Sequence, residues 1–267
     1  MQKPFLIITG SIVALAVLGT GALLATENWL GKRLTQDLET ELTAATGVEA
    51  AVRQTDVRLL QQQVVFNDLS FDNVPGFTGE NLLTIRQIQL TQPSLQGKPL
   101  QVAIANLEGV VVNIEGDLND LPDPRMIGAL PNVNLAQLLE QWVDQGQATA
   151  TDANGQPITT FEVDQLTVEN IQVNLNLTVP WQGQAIAHTI TVPNVTLTNV
   201  NNLNISEQLA DRLGPALTEE LSLFFMEEIL PASLQYIQES FPGGLDLSGL
   251  ELPEGVTLPE QVLSPRS

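Results

Sequence analysis

Ile171-Gln-Val-Asn-Leu-Asn-Leu-Thr-Val179 places an apolar side chain at every second position and an uncharged polar one between. Successive side chains of a strand point to opposite faces, so this period of two predicts a β-strand. One face carries Ile171, Val173, Leu175 and Leu177, and the other is polar. Just upstream, Val168-Glu-Asn-Ile-Gln-Val-Asn-Leu175 shares its apolar register and one Asn with Leu107-Glu-Gly-Val-Val-Val-Asn-Ile114, which points to two related halves.

Working outward, further strands are expected over 48–59, 64–71, 82–91, 100–107, 110–115, 160–168, 185–192 and 195–200. Phe71-Asp-Asn-Val74, Leu107-Glu-Gly-Val110 and Val168-Glu-Asn-Ile171 each set an acid and then Asn or Gly between apolar residues. Such pairs suit the positive φ angles of a tight hairpin, so their acids are read as turn chemistry and not as catalysis.

Helical spacing frames these strands. Leu30, Leu34, Leu38 and Leu42 recur every four residues within 28–45, and Gly47 supplies a stop. Asn204 with Glu207 suggests a capped start for a helix carrying Leu209, Leu213, Leu217, Leu221 and Phe224, which Pro215 is expected to kink or divide. Between the strand groups, the Pro- and Asp-rich run 117–124 and the polar run 149–157 read as loops. They flank a short helix at 134–145 whose buried face would hold Leu135, Leu138, Leu139 and Trp142.

Residues 5–25 contain no charge over 21 positions, including Phe5, Leu6, Ile7, Ile8, Ile12, Val13, Leu15, Val17, Leu18, Leu23 and Leu24. A helix of that length, at about 1.5 Å per residue, spans a hydrocarbon core of about 30 Å, and Trp29 falls near its edge. The alternative is a cleaved signal peptide ending near Gly19, Gly21 or Ala25. The length of the run and the amphipathic helix that continues from it favour a retained anchor. Lys3 before the span and Lys32 and Arg33 after it leave orientation undecided by charge, and the long following domain is expected on the outer side. The expected organisation is therefore a transmembrane anchor at 1–27, a β-rich domain with amphipathic helices at 28–240 and an irregular tail at 241–267.

Composition narrows the function. The 267-residue chain has a formal charge of -21, and beyond Arg33 seven basic residues face thirty acidic ones. Such a surface repels nucleic acid phosphates and anionic lipid headgroups alike, so sequence-independent binding to either is unfavourable and nucleic acid is excluded as a partner. With no cysteine, disulfides, thiolate metal sites and cysteine nucleophiles are excluded too. The single histidine, His188, sits on a strand pattern with no metal motif around it. Asp117, Asp120 and Asp123 lack the glycine and closing glutamate of a calcium loop, and Asp152-Ala-Asn-Gly155 is a fragment of one. No nucleophile elbow, phosphate loop or dinucleotide fingerprint occurs, so no catalytic, cofactor or metal residue is assigned and an enzyme is not expected. Asn176, Asn194 and Asn204 open formal glycosylation triplets, which arise readily in a chain rich in Asn and Thr.

The order of anchor, amphipathic helix, Thr46-Gly-Val48, strands, Val74-Pro-Gly-Phe77, short helix, more strands and closing helix resembles the AsmA-like family of bacterial envelope proteins. Ile190-Thr-Val-Pro-Asn-Val-Thr-Leu-Thr-Asn-Val200, leading into the last helix, adds to the likeness, which covers roughly residues 5–230. It implies an inner-membrane anchor, a periplasmic curved antiparallel sheet or groove flanked by helices, and a part in phospholipid movement or envelope homeostasis. Glu49 departs from the family's usual basic or polar residue, and the long repeated extension of large members is missing. About nine strands at ~4.8 Å give roughly 45 Å, too short for a bridge across an envelope. Two readings follow. In one, Ile171, Val173, Leu175 and Leu177 line a groove for acyl chains of membrane lipid. In the other, helices seal those faces and the domain is a structural or assembly factor contacting envelope proteins.

Overall fold

The longest strand organises the fold. In the computed structural model, which describes residues 27–94, 99–117, 133, 134, 137, 159, 161–178, 185–229 and 231, β4 runs unbroken over Leu100–Asp117. Around it lie β1 (Ala50–Arg58), β2 (Gln63–Asp72), β3 (Asn81–Ser94), β5 (Phe161–Glu169), β6 (Ile171–Thr178), β7 (Ala185–Val192) and β8 (Val195–Asn201). The helices are α1 (Glu27–Thr46) and α2 (Ile205–Phe224), the latter followed by a wider turn over Phe225–Ile229. Two compact units divide the chain, Met1–Leu217 and Thr218–Ser267. The sheet belongs to the first unit. The chain is thus mainly β with α, as expected. The apolar run 5–25 lies outside the described residues, as does the helix expected over 134–145 except for Asn134 and Gln137, both helical.

The eight strands among the described residues form one sheet in the order β1-β2-β3-β4-β5-β8, with β6 beside β4 and β7 beside β6. Pairing is antiparallel except at β4, which runs parallel to both β5 and β6. Leu100 faces Phe161 and Asp117 faces Thr178, so one register joins the whole of β4 to both strands. The likeness between 107–114 and 168–175 now has a structural meaning: Leu107 pairs with Val168 and Ile114 with Leu175, side by side in one sheet.

None of the three expected two-residue hairpin turns forms, and Phe71–Val74 instead ends β2 and opens the loop 73–80 that leads to β3. Leu107–Val110 lies inside β4, and Val168–Ile171 joins β5 to β6 without reversing the chain. The acid-Gly and acid-Asn pairs within them do carry the positive φ that their composition suits, 69° at Gly109 and 54° at Asn170. A single left-handed residue between extended neighbours bends a strand as a bulge does and does not turn it back. Asp68, with φ 51°, stands in the same line across β2. Gln62, Gln92 and Asn199, with φ of 50–53°, mark a second line. The sheet is creased twice.

The creases explain why alternation in this chain comes only in patches. In β4 the inward residues are Leu100, Val102, Ala105, Leu107, Val110 and Val112, spaced two, three, two, three, two. Phe161, Val163, Leu166, Val168, Ile171 and Val173 repeat the spacing across β5 and β6. Each three-residue step falls on a crease, where the strand switches which parity faces the core. The apolar face therefore stays continuous. One register row runs Ala50, Phe71, Leu83, Val112, Val173 and Ile190, all at most 7% exposed.

Helix α1 lies along the outer edge of β1. Leu34, Leu38 and Leu42 are buried, each contributing about 1.5–3 kcal/mol. A second stripe faces the strand edge. The Val52 N–H donates to Glu39 Oε1 at 2.8 Å, the Ala50 N–H to Thr43 Oγ1 at 3.0 Å, and the Thr35 and Thr55 hydroxyls lie 2.6 Å apart. An edge strand left open would offer these amides to another chain. Gly47, with φ 74°, ends the helix as expected, and the Thr46 hydroxyl donates to the Leu42 carbonyl.

In α2, Pro215 sits inside a continuous helix and does not divide it. Asn204 turns its side chain back onto the preceding turn, accepting from the Asn201 N–H and donating to the Asn199 carbonyl. Leu209, Leu213, Leu217 and Phe224 are buried, but Leu221 is 44% exposed and leaves the expected apolar stripe.

Candidate functional site

Two features of the first unit offer chemistry: the apolar face of β6 with its neighbours, and a polar cluster at the ends of β3 and β4. On β6, Ile171, Val173, Leu175 and Leu177 do share one face, with Gln172, Asn174 and Asn176 on the other. Their exposures are 3, 2, 4 and 9%. All four are covered in this state, so an acyl chain would reach them only by displacing what lies over them.

The polar cluster grows from Glu115, a carboxylate 8% exposed near the end of β4. Burying an ion is costly unless its oxygens are satisfied. Here Oε2 accepts from the Thr78 N–H at 2.8 Å and the Thr78 hydroxyl at 2.9 Å, while Oε1 accepts from Asn73 Nδ2 and the Gly79 N–H. A Cβ at Gly79 would collide with Glu115 Oε1, so a side chain there would have to push the carboxylate off its donors. The loop so held contains Val74-Pro-Gly-Phe77, a turn with Gly76 at φ 103° and the Phe77 N–H directed at the Val74 carbonyl. Glu115 thus fastens the β2–β3 loop to the end of β4.

Asn134 completes the cluster from a distant part of the chain. Its Oδ1 accepts from the Glu115 N–H at 3.0 Å, and its Nδ2 donates to Asn73 Oδ1 and to the Asn113 carbonyl. From Asn113 a ladder crosses the polar face: Asn174 Nδ2 donates to Asn113 Oδ1 at 2.9 Å, and the Thr189 hydroxyl donates to Asn174 Oδ1 at 3.0 Å. An open cleft of about 310 Å³ lies over it, lined by Gly79, Glu80, Asn81, Asn113, Ile114, Glu115, Asn174 and Asn176. The cleft lining offers amides and carboxylates, and the Thr78 hydroxyl donates to the Glu115 carboxylate at its margin. With four donors on Glu115, its carboxylate is committed to holding the loop.

Sequence reasoning missed this cluster. Glu115 and Asn134 showed no motif, and their pairing depends on the long-range fold. Spacing does show the α1 stripe, because Gly31, Thr35, Glu39 and Thr43 recur every four residues beside the leucines.

Elsewhere, His188 is half-buried on β7 opposite Leu175. Asp117 ends β4, whereas Asp120, Asp123 and Asp152 lie outside the described residues. Among the described residues no group of three His, Cys, Asp or Glu side chains could hold a metal ion. Asn194 Oδ1 accepts the Asn170 N–H across the crease. Among the described residues no helix is long and apolar enough to cross a membrane.

No family model matches this chain, and no curated protein or solved structure does either.

Proposed function

We propose that this chain is a membrane-tethered, AsmA-like module of the bacterial envelope that handles phospholipid acyl chains along the inner face of its creased sheet, without catalysing a reaction. The observation carrying this reading is the continuity of the apolar face. The two-three spacing carries it through both creases from Leu100 to Val112 of β4, a run of 13 residues that at about 3.3 Å each exceeds the length of one acyl chain. A strictly alternating strand would lose the face at each crease. The four β6 side chains would take part in the lane, and burial of each CH₂ there contributes about 0.8 kcal/mol. The anchor at 5–25 and a periplasmic position for the sheet belong to the same proposal.

Lipid analysis of full-length protein extracted in its native membrane with a copolymer tests it. A stoichiometric phospholipid should remain after exchange into lipid-free buffer when the protein is transferred to an amphipol, and a photoreactive residue at Val173 should crosslink to it. Protein that is consistently free of lipid, with Val173 crosslinking only within the chain, would sink the proposal. A reporter fused after Ser267 should be active only outside the cytoplasm, and cytoplasmic activity would overturn the placement.

The 2–9% exposure of the β6 face favours a second reading, a sealed scaffold acting by protein contact. Crosslinking in cells that recovers a defined envelope protein, together with lipid-free material, would favour it.

A further inference from the structure

Among the described residues of the first unit, the exposed large apolar side chains are Leu59, Leu60, Ile104 and Leu203, at 42, 101, 37 and 48% exposure. Register puts all four toward one end of the sheet. Leu59 and Leu60 form the tip between β1 and β2, and Gln63 at the start of β2 pairs with Thr91, which pairs with Ile104. Ile104 pairs with Gln165, and Gln165 with Thr198, three residues before β8 ends at Asn201. Leu203 lies in the turn that follows, held there by its N–H donating to Asn201 Oδ1 at 2.9 Å.

The first residues of α1 lie toward this same end. Contacts pair Thr43 with Ala50, Glu39 with Val52, and Thr35 with Thr55, so the helix runs antiparallel to β1. Gly31 also presses on Thr55, where a Cβ would sit 2.7 Å from the carbonyl oxygen. From Thr55 the strand advances at about 3.3 Å per residue to Arg58, beyond which lies the 3-10 turn Leu59–Gln61, whereas the helix returns from Gly31 toward Glu27 at about 1.5 Å per residue. The leucine tip therefore extends past the level of Glu27, and the uncharged run 5–25 ends two residues before that position.

The opposite end of the sheet has the reverse character. Glu49, Asp72, Glu80 and Asp117 are exposed there, and no Lys or Arg among the described residues accompanies them. Lys32 and Arg58 are exposed near the leucine end, where Glu162 and Asp164 also lie.

We propose that the Leu59–Leu60 tip, with Leu203, rests in the interfacial layer of the bilayer that holds residues 5–25, so that the sheet stands on the membrane with its acidic end pointing away. This rests on the anchor reading above. A few leucines bind a bilayer weakly by themselves, but a tether at the same end makes the contact intramolecular and raises its effective concentration. Arg58, next to Leu59, can lay its stem along the tip and reach the headgroups. A second copy of the chain is a poorer occupant, because a stable protein interface buries about 800 Å² per partner and isolated side chains at separated tips do not make one.

The absence of cysteine makes the test direct. Leu60→Cys, Leu203→Cys, Glu80→Cys and Leu15→Cys, each made singly in the full chain, are labelled with an environment-sensitive fluorophore. The proteins are placed in nanodiscs of phosphatidylethanolamine and phosphatidylglycerol. The Leu15 label should be quenched by deep nitroxide lipids. Labels at Leu60 and Leu203 should show a blue shift, quenching by shallow nitroxide lipids and loss of iodide quenching, with Glu80 quenched by iodide alone. Adding Leu59→Asp and Leu60→Asp to the Leu203 reporter should restore its iodide quenching at unchanged circular dichroism. Iodide access at Leu60 and Leu203 with Leu15 still in lipid would overturn this proposal and leave the anchor standing. Shielding at Leu60 from both quenchers would mean protein contact and would also overturn it. Iodide access at Leu15 would remove the anchor reading and this proposal together.

Discussion

Single residues set the creases, and they do so at unequal cost. Gly109 tolerates φ 69° freely and lies against Arg86, where an added Cβ would come within 2.9 Å of the Arg86 Cβ. Gly109→Ala should therefore lower stability by about 1–3 kcal/mol in urea denaturation. Asn170→Gly, at φ 54° and exposed, should change it by no more than about 1 kcal/mol. An unchanged midpoint for Gly109→Ala would refute the constraint that the positive φ and the Arg86 contact place on this position. Glu115 is a different case, because four donors point at it. Glu115→Gln turns an amide NH₂ toward some of those donors and should cost about 2–4 kcal/mol. An unchanged denaturation midpoint would contradict its role as fastener of the Pro-Gly-Phe turn.

At the scale of elements, α1 acts as a cover for the open side of β1 as well as a donor of leucines. Glu39 and Thr43 each take one amide of that edge. Replacing both with Ala should speed hydrogen exchange at Val52 and Ala50 and cost about 1–3 kcal/mol, while leaving amides of β4 protected. Uniform loss of protection across the sheet would instead mean that the edge and the interior open as one unit. The residues that carried the family likeness have plain structural duties at this scale. Thr46 and Gly47 end the helix, and Val74-Pro-Gly-Phe77 turns the loop that Glu115 holds.

At the scale of the molecule, the described exposed leucines of the first unit lie toward one end of its sheet and the acids Glu49, Asp72, Glu80 and Asp117 toward the other. A net charge of -21 repels itself, most strongly where Glu49, Asp72, Glu80 and Asp117 gather. Raising sodium chloride from about 0.01 M to about 0.15 M shortens the screening length from ~30 to ~8 Å, so the urea midpoint should rise. A fall would mean that the ion pairs Arg53–Asp68 and Arg86–Glu108, both exposed, outweigh the repulsion. Parallel pairing of β4 with strands 61 residues further along also demands closure of a long loop before its contacts form.

Strand positions were legible because polar-apolar alternation is local: the expected runs 64–71, 82–91, 185–192 and 195–200 lie within observed strands. The leucine period likewise determined α1, and acid-Gly or acid-Asn pairs correctly marked positive φ at Gly109 and Asn170. Whether such a residue reverses the chain or merely bends it was decided by tertiary structure, since the same local dihedral serves a turn or a crease according to which strands lie alongside. The same holds for the parallel register of β4 and for the meeting of Asn134 with Glu115. These contacts join residues far apart in the chain, and their stability comes from neighbours that no local pattern specifies.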